Sequence, residues 1–356
     1  MTTQARSPRG AQSCIVDARI LAHLVYELQP RRVTMRRYAI LLALVSLFLP
    51  LTVFAQTPEA AVNHFKNAIK KSGAGDLDGA IEDYTRAITL SSNFGTSKKG
   101  GTGNAVGNSF TGSADAPTEE VTIVDPFTAN AYSNRGLLRY QKGDYTGAID
   151  DFNRALRIKP SLALAYLNRA AALNATGDPA AALKDLDKAI ALDKNLFQAY
   201  NNRGMLNLDA GNNNAALADL NRAVELNNKV SDTFYYRGTT QLALTNFDAA
   251  IADYDRAIKL DPSSAWGYQG RGTALMAKGV MLRAKDDFTR AIELNPQIAW
   301  AYFNRGLIWV FMGDESKAEN DFAECLKLKP ELKPELERRV MLARALNRIG
   351  QPPPPQ

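Results

Sequence analysis

Residues 131–136 read AYSNRG, and close variants return at 165 (AYLNRA), 199 (AYNNRG), 233 (TFYYRG), 267 (GYQGRG) and 301 (AYFNRG), each 34 residues after the last. A fixed period of this size restricts the fold severely. Each segment must form one supersecondary unit, and the units must stack to bury what none can bury alone. Aligned on Arg135, Arg169, Arg203, Arg237, Arg271 and Arg305, the segments match without a gap. Small residues share one column at Gly136, Ala170, Gly204, Gly238, Gly272 and Gly306, and a second at Ala148, Ala182, Ala216, Ala250, Ala284 and Ala318. A turn falls between the columns: KGD at 142, TGD at 176, AGN at 210 and MGD at 312. On either side apolar residues recur at three and four, and Pro160, Pro262, Pro296 or Pro330 closes the unit. The pattern predicts two short antiparallel helices per unit, held close by the small columns.

An arginine column inside such a pair needs a partner. Asp151, Asp185, Asp219, Asp253, Asp287 and Asp321 follow each Arg by sixteen residues. Folding about the turn brings the two positions opposite one another, which predicts an ion pair in every unit. Six repetitions at one register point to architecture, since a catalytic pair is not needed in each unit.

These columns resemble the tetratricopeptide repeat (TPR) family, of the bacterial exported type. Its 34-residue motif has a large aromatic, Gly or Ala, a Gly-Asp turn, Ala, an aromatic, Ala and Pro. The last unit shows them as Tyr302, Gly306, Gly313-Asp314, Ala318, Phe322, Cys325 in an Ala column, and Pro330. The chain departs from the family in its Arg column, where an apolar residue is usual. Six tandem repeats cover 129–330, and a divergent copy over 58–90 carries Ala68, Gly75-Asp76, Ala80, Tyr84 and Ala87, each 68 residues before its counterpart. The resemblance implies an all-α, right-handed superhelical solenoid with a concave inner surface. Residues 331–349 predict a capping helix with Leu336, Val340, Ala343 and Leu346 on one side and Arg338, Arg339 and Arg348 elsewhere. Residues 91–128 read as a Gly/Ser-rich linker or loop without a phosphate-loop spacing, and 350–356 as a Pro-rich tail.

Charge locates the leader. The net charge is +6, from 43 bases and 37 acids; seven Arg and two acids precede residue 56, which leaves 36 bases against 35 acids. A nearly neutral body disfavours nucleic acid as a partner. Met35-Arg36-Arg37, an apolar run and Val53-Phe54-Ala55 before Gln56 read as a signal peptide over 35–55, with Met35 as the start and 1–34 as an upstream extension without a fold signal. The competing reading is an uncleaved membrane anchor through residues 39–54, although as a helix these span only about 24 Å against ~30 Å of hydrocarbon. The expected location is therefore periplasmic or secreted, with a single-pass anchored protein as the alternative. After cleavage one Cys (Cys325) and one His (His64) remain, which excludes a disulfide framework and a Cys/His metal cluster. Cys325 reads as a small buried residue and His64 as a ring packed between helices.

Function must come from the columns that packing leaves free. In the TPR family the first helix of each unit lines the groove, and Asn at the place held by Asn134, Asn168, Asn202 and Asn304 hydrogen-bonds an extended peptide; Tyr236 and Gly270 interrupt that row here. The alternative is that these amides satisfy helix ends or face water. Tyr235, Tyr236, Trp266, Trp300 and Phe303 make the later part of this surface aromatic, as binding hot spots often are, while Tyr268, Tyr302 and Trp309 read as packing residues. The places of the family's basic carboxylate clamp hold Ser133, Leu167, Asn201 and Gln269. No nucleophile, base and orienting acid can be assembled. The expectation is a non-catalytic scaffold without cofactor or metal that holds a protein or peptide partner in the cell envelope. Its competitors are a membrane-anchored protein that self-associates and a subunit of an envelope enzyme or secretion complex.

Overall fold

A computed structural model of the protein describes residues 57–97 and 126–349. The expected leader, the tail and residues 98–125 lie outside the described residues. Among the described residues all regular structure is helical: α1 Glu59–Gly73, α2 Leu77–Ser97, α3 Pro126–Gln141, α4 Tyr145–Ile158, α5 Ala163–Ala175, α6 Pro179–Leu192, α7 Phe197–Asp209, α8 Asn213–Leu226, α9 Ser231–Ala243, α10 Phe247–Leu260, α11 Ala265–Ala277, α12 Met281–Leu294, α13 Ala299–Met312, α14 Glu315–Leu328 and α15 Lys333–Ile349, with a 3-10 turn at Pro330–Leu332. Packing divides them into two bodies, 57–206 and 207–349, and the division falls within α7. Within each body successive helices pair and the pairs stack.

The turns explain why the chain doubles back. Gly75, Gly143, Gly177, Gly211, Gly279 and Gly313 take φ between 77° and 89°, a left-handed conformation that glycine adopts without strain. Behind them a carboxylate caps the second helix: Asp76, Asp144, Asp178 and Asp314 accept from the backbone N–H of Gly79, Gly147, Ala181 and Lys317. Three turns break the pattern. Thr245 stands in the glycine position with φ 61°, Asn212 and Asn246 make no side-chain cap bond to α8 and α10, and Val280 stands in the capping position with no polar group to offer α12. A lost cap costs about 0.5 to 2 kcal/mol. At the far ends, Lys159, Asp261, Asn295 and Lys329 terminate second helices immediately before a proline.

The small columns set how closely paired helices approach. A Cβ on Gly136 would lie 3.0 Å from the Phe152 ring, and one on Gly306 only 2.4 Å from Phe322. The second column is wholly buried from Ala148 to Ala318.

The divergent first pair stacks directly on the first tandem unit. Phe65 packs against Tyr84 at 5.2 Å and Phe127 at 5.1 Å between ring centroids, and the Thr128 hydroxyl donates to that of Ser91 at 2.7 Å. Two expected boundaries shift as a result: α2 carries residues 91–97 of the expected linker, and α3 starts three residues before 129. The Ser91–Thr128 bond ties the lengthened helix to its successor.

At the other end α15 packs on α13 and buries Leu336, Val340 and Ala343, with Leu346 half-buried. Arg344 pairs with Glu315 at 2.5 Å. Arg339, expected away from the apolar side, is 1% exposed instead. Its guanidinium lies 5.5 Å from the centroid of the Phe303 ring and its Nε bonds Glu335. The long apolar stem can line the contact while the flat head covers an aromatic face.

Candidate interaction surface

The arginine column fills three roles at once. Its guanidinium covers the aromatic ring three residues earlier in the same helix, at 5.4 to 5.8 Å from the centroids of Tyr132, Tyr166, Tyr200, Phe234, Tyr268 and Tyr302. Nε and Nη2 form a fork on the aspartate of the same unit. In the first body Arg135 holds Asp151 at 2.9 and 2.7 Å and Arg169 holds Asp185 at 2.7 and 2.7 Å. In the second, Arg237 holds Asp253, Arg271 holds Asp287 and Arg305 holds Asp321, all between 2.6 and 2.9 Å. Arg203 and Asp219 belong to different bodies.

The remaining nitrogen, Nη1, reaches back to the preceding unit. It finds Thr85, Asn153, Asp187, Asn221, Asp255 and Thr289 for Arg135, Arg169, Arg203, Arg237, Arg271 and Arg305, at 2.6 to 3.2 Å. Arg135, Arg169, Arg237, Arg271 and Arg305 therefore each join their own two helices and the unit before. The column is used up in architecture. In the divergent pair Asn67 stands at the arginine position, and Asp83 takes His64 Nδ1 at 2.8 Å and Lys71 Nζ at 2.7 Å instead. Burial pulls the Asp83 carboxyl up, but bonds from Lys71 and His64 outweigh it and hold it below the usual range.

The inner columns differ between the bodies. In the first, Ser133 on α3, Asn168 on α5, and Asn201 and Asn202 on α7 are all buried. Ser133 Oγ, Asn201 Oδ1 and both amide atoms of Asn168 and Asn202 lack a hydrogen-bond partner among the described residues. A buried amide left unbonded costs about 1 to 3 kcal/mol, and here three amide side chains and one hydroxyl carry unbonded atoms on three successive first helices. Asn202 also lines a small open depression with Ala170, Ala171, Asn174, Leu186, Met205 and Leu206. Asn134 is different, since it donates to the Tyr84 hydroxyl at 3.2 Å.

In the second body the row stops for a steric reason. A Cβ on Gly270 would lie 2.4 Å from the Tyr254 ring, whose hydroxyl sits 3.1 Å from that of Thr239. Three residues expected on an open inner wall are buried: Tyr236, 5.5 Å from Tyr235 between centroids; Phe303, fully covered with Arg339 over its ring; and Asn304. Trp300 packs on Phe303 at 5.0 Å, and its indole N–H is buried without an acceptor among the described residues. Tyr235 and Trp266 are half-buried. Neither Arg339 nor Tyr254 is signalled as a cover by the inward columns themselves.

Reactive groups are sparse. Burial pushes the Cys325 thiol up to about 11, which leaves it protonated and inert at neutral pH. Burial likewise pushes the Asp209 carboxyl up to about 6. Among the described residues no cluster of His, Cys, Asp and Glu could hold a metal ion, and no helix is long and apolar enough to cross a membrane.

Profiles described as TPR repeat match residues 136–177 and 243–279, and profiles described as tetratricopeptide repeat match 163–196, 197–230 and 301–332. These are tetratricopeptide repeats. No curated protein matches the sequence. Among solved structures, a TPR protein from Parabacteroides merdae aligns with a TM-score of 0.53 at 18% identity, covering 80% of this chain and 99% of that one. Pseudomonas aeruginosa pilF aligns at 0.54 and 20% identity, covering 60% and 97%. PilW, described as a type IV pilus biogenesis factor, aligns at 0.53 and 18%, covering 59% and 97%. At such identities the likeness concerns the TPR fold.

Proposed function

We propose that this TPR chain is a non-catalytic scaffold of the cell envelope that holds an extended peptide segment of a protein partner against the first helices of units one to three. The observation that carries the reading is the row of buried amides without partners at Asn168, Asn201 and Asn202, beside Ser133. Each amide offers both a donor and an acceptor, the complement of a peptide group. No charged side chain stands among these four, so recognition runs through the partner's main chain. Trp300 and Phe303 contribute little, because α15 lies over that end. The envelope location rests on the basic and apolar leader. PilW, a pilus biogenesis factor with the same fold, is compatible with such a setting.

The test is a peptide phage-display selection on the immobilised full chain, followed by affinity measurement with the Asn168→Ala/Asn202→Ala variant. Removing unpaired amides should leave thermal stability unchanged or higher, while the selected peptides lose about tenfold or more in affinity, 1.4 kcal/mol. Equal affinity for wild type and variant refutes the groove. N-terminal sequencing after fractionation tests the leader: a mature chain beginning at Gln56 excludes the anchored alternative.

A further inference from the structure

The turn of the fifth tandem unit departs from every other turn in three respects. Where Asp76, Asp144, Asp178, Asn212, Asn246 and Asp314 precede their second helices, this turn has Val280. Val280 and Leu282 are among the exposed large apolar side chains, Leu282 at 62%, and Met312 in the next turn is exposed at 41%. The stretch KGVMLRAK, 278–285, contains three bases and no acid, whereas the turn of the sixth unit, MGDESKAE, contains three acids. Lys278 sits against Asp248 and Lys285 lies 3.5 Å from Asp286, so exposed Arg283 stands beside the apolar tip as its free positive charge.

A chain that gives up a helix cap and exposes aliphatic side chains in the same turn has lost stability twice, and such local violations mark functional positions. We infer that this turn is a docking tip for an anionic lipid surface. Val280 and Leu282 enter the headgroup and acyl boundary, and Arg283 faces the anionic headgroups. Binding of this kind scales with buried apolar area plus attraction to negative lipid. Lipid suits the tip because it is a short turn and the first residues of α12 with exposed Arg283 at its flank, not a groove that would clasp a peptide. The inference is independent of the amide row on α3, α5 and α7, which lies in the other body.

The test uses hydrogen exchange on the full chain with phosphatidylglycerol vesicles, with phosphatidylcholine vesicles, and without lipid. Reading the turn itself separates the tip from any binding through residues 39–54. Amides of 279–285 should slow about tenfold with the anionic vesicles only, and this slowing should vanish in Val280→Asp/Leu282→Ser. Val280→Asp restores a cap, so by itself it should raise Tm by about 2 to 4 °C, which rules out misfolding as the reason for the loss. No slowing with anionic vesicles, or the same slowing in the variant, overturns the inference. Slowing that follows protein concentration without lipid overturns it in favour of a second copy of the chain.

Discussion

Asp151→Asn is the sharpest test of how the repeats hold together. The Asp151 side chain is 1% exposed and that of Arg135 is 7% exposed. The carboxylate accepts Arg135 Nε and Nη2 at 2.9 and 2.7 Å, and Arg139 Nη1 stands 3.0 Å from Oδ2. An amide keeps the shape, removes the charge and turns an NH2 toward these donors. Arg135 is then left with neutral acceptors only, the amide oxygen and the Thr85 hydroxyl. Breaking a buried pair at one member costs about 3 to 5 kcal/mol, whereas an exposed pair is worth about 0 to 1. Asp287→Asn is the internal comparison. Arg271 is 20% exposed and keeps a second carboxylate, Asp255, at 2.6 Å, so a loss of about 1 to 2 kcal/mol is expected there. Urea unfolding followed by circular dichroism, with unchanged slopes, reads both. A loss below about 1 kcal/mol for Asp151→Asn, or equal losses at the two sites, refutes the view that burial sets the strength of the joint.

Three further outcomes follow from the geometry. Thr245→Gly relieves a positive φ and should add about 0.5 to 1 kcal/mol; a lower melting temperature contradicts it. Gly306→Val drives a side chain into the Phe322 ring and should cost about 1 to 3 kcal/mol in urea unfolding, with no loss as the contrary result. Asp209, with its carboxyl raised from 3.8 to about 6, binds its proton more tightly folded than unfolded, so its contribution is present below about pH 4 and lost as pH rises through 6. Asp209→Asn should therefore gain on the order of 1 to 2 kcal/mol at neutral pH and flatten the decline between pH 4 and 6; parallel stability curves for variant and wild type contradict this.

The paired helices and their stacking were legible because period, turn glycines and small columns all report on contacts within one or two units. The sixteen-residue offset of Arg and Asp is such a local signal. The reach of Nη1 was not seen, yet it had one: a polar residue recurs two places after each aspartate, from Asn153 to Thr289. What escaped depends on distant chain. Nothing in the aromatic column says that α15 lies over Phe303, and Arg339, one period after Arg305, goes to that ring, with Pro355 and not an aspartate sixteen residues on. Gly270 looked like a gap in a row of amides, but the Tyr254 ring occupies its space. That Asn168 and Asn202 are buried without partners, and that Val280 and Leu282 are exposed, both need the packed structure.

The Nη1 bonds also give the array a direction and two ends. Each inner unit carries an arginine for the unit before it and an acceptor for the unit after it, so any inner copy fits behind any other. Duplication or deletion of a whole 34-residue segment leaves matching halves on both sides of the cut. The first pair has Thr85 but Asn67 in place of arginine, and the sixth unit has Arg305 but Ala323 where an acceptor would stand. Length can therefore vary in the interior by whole units, while the terminal pieces are fixed in kind and cannot exchange places.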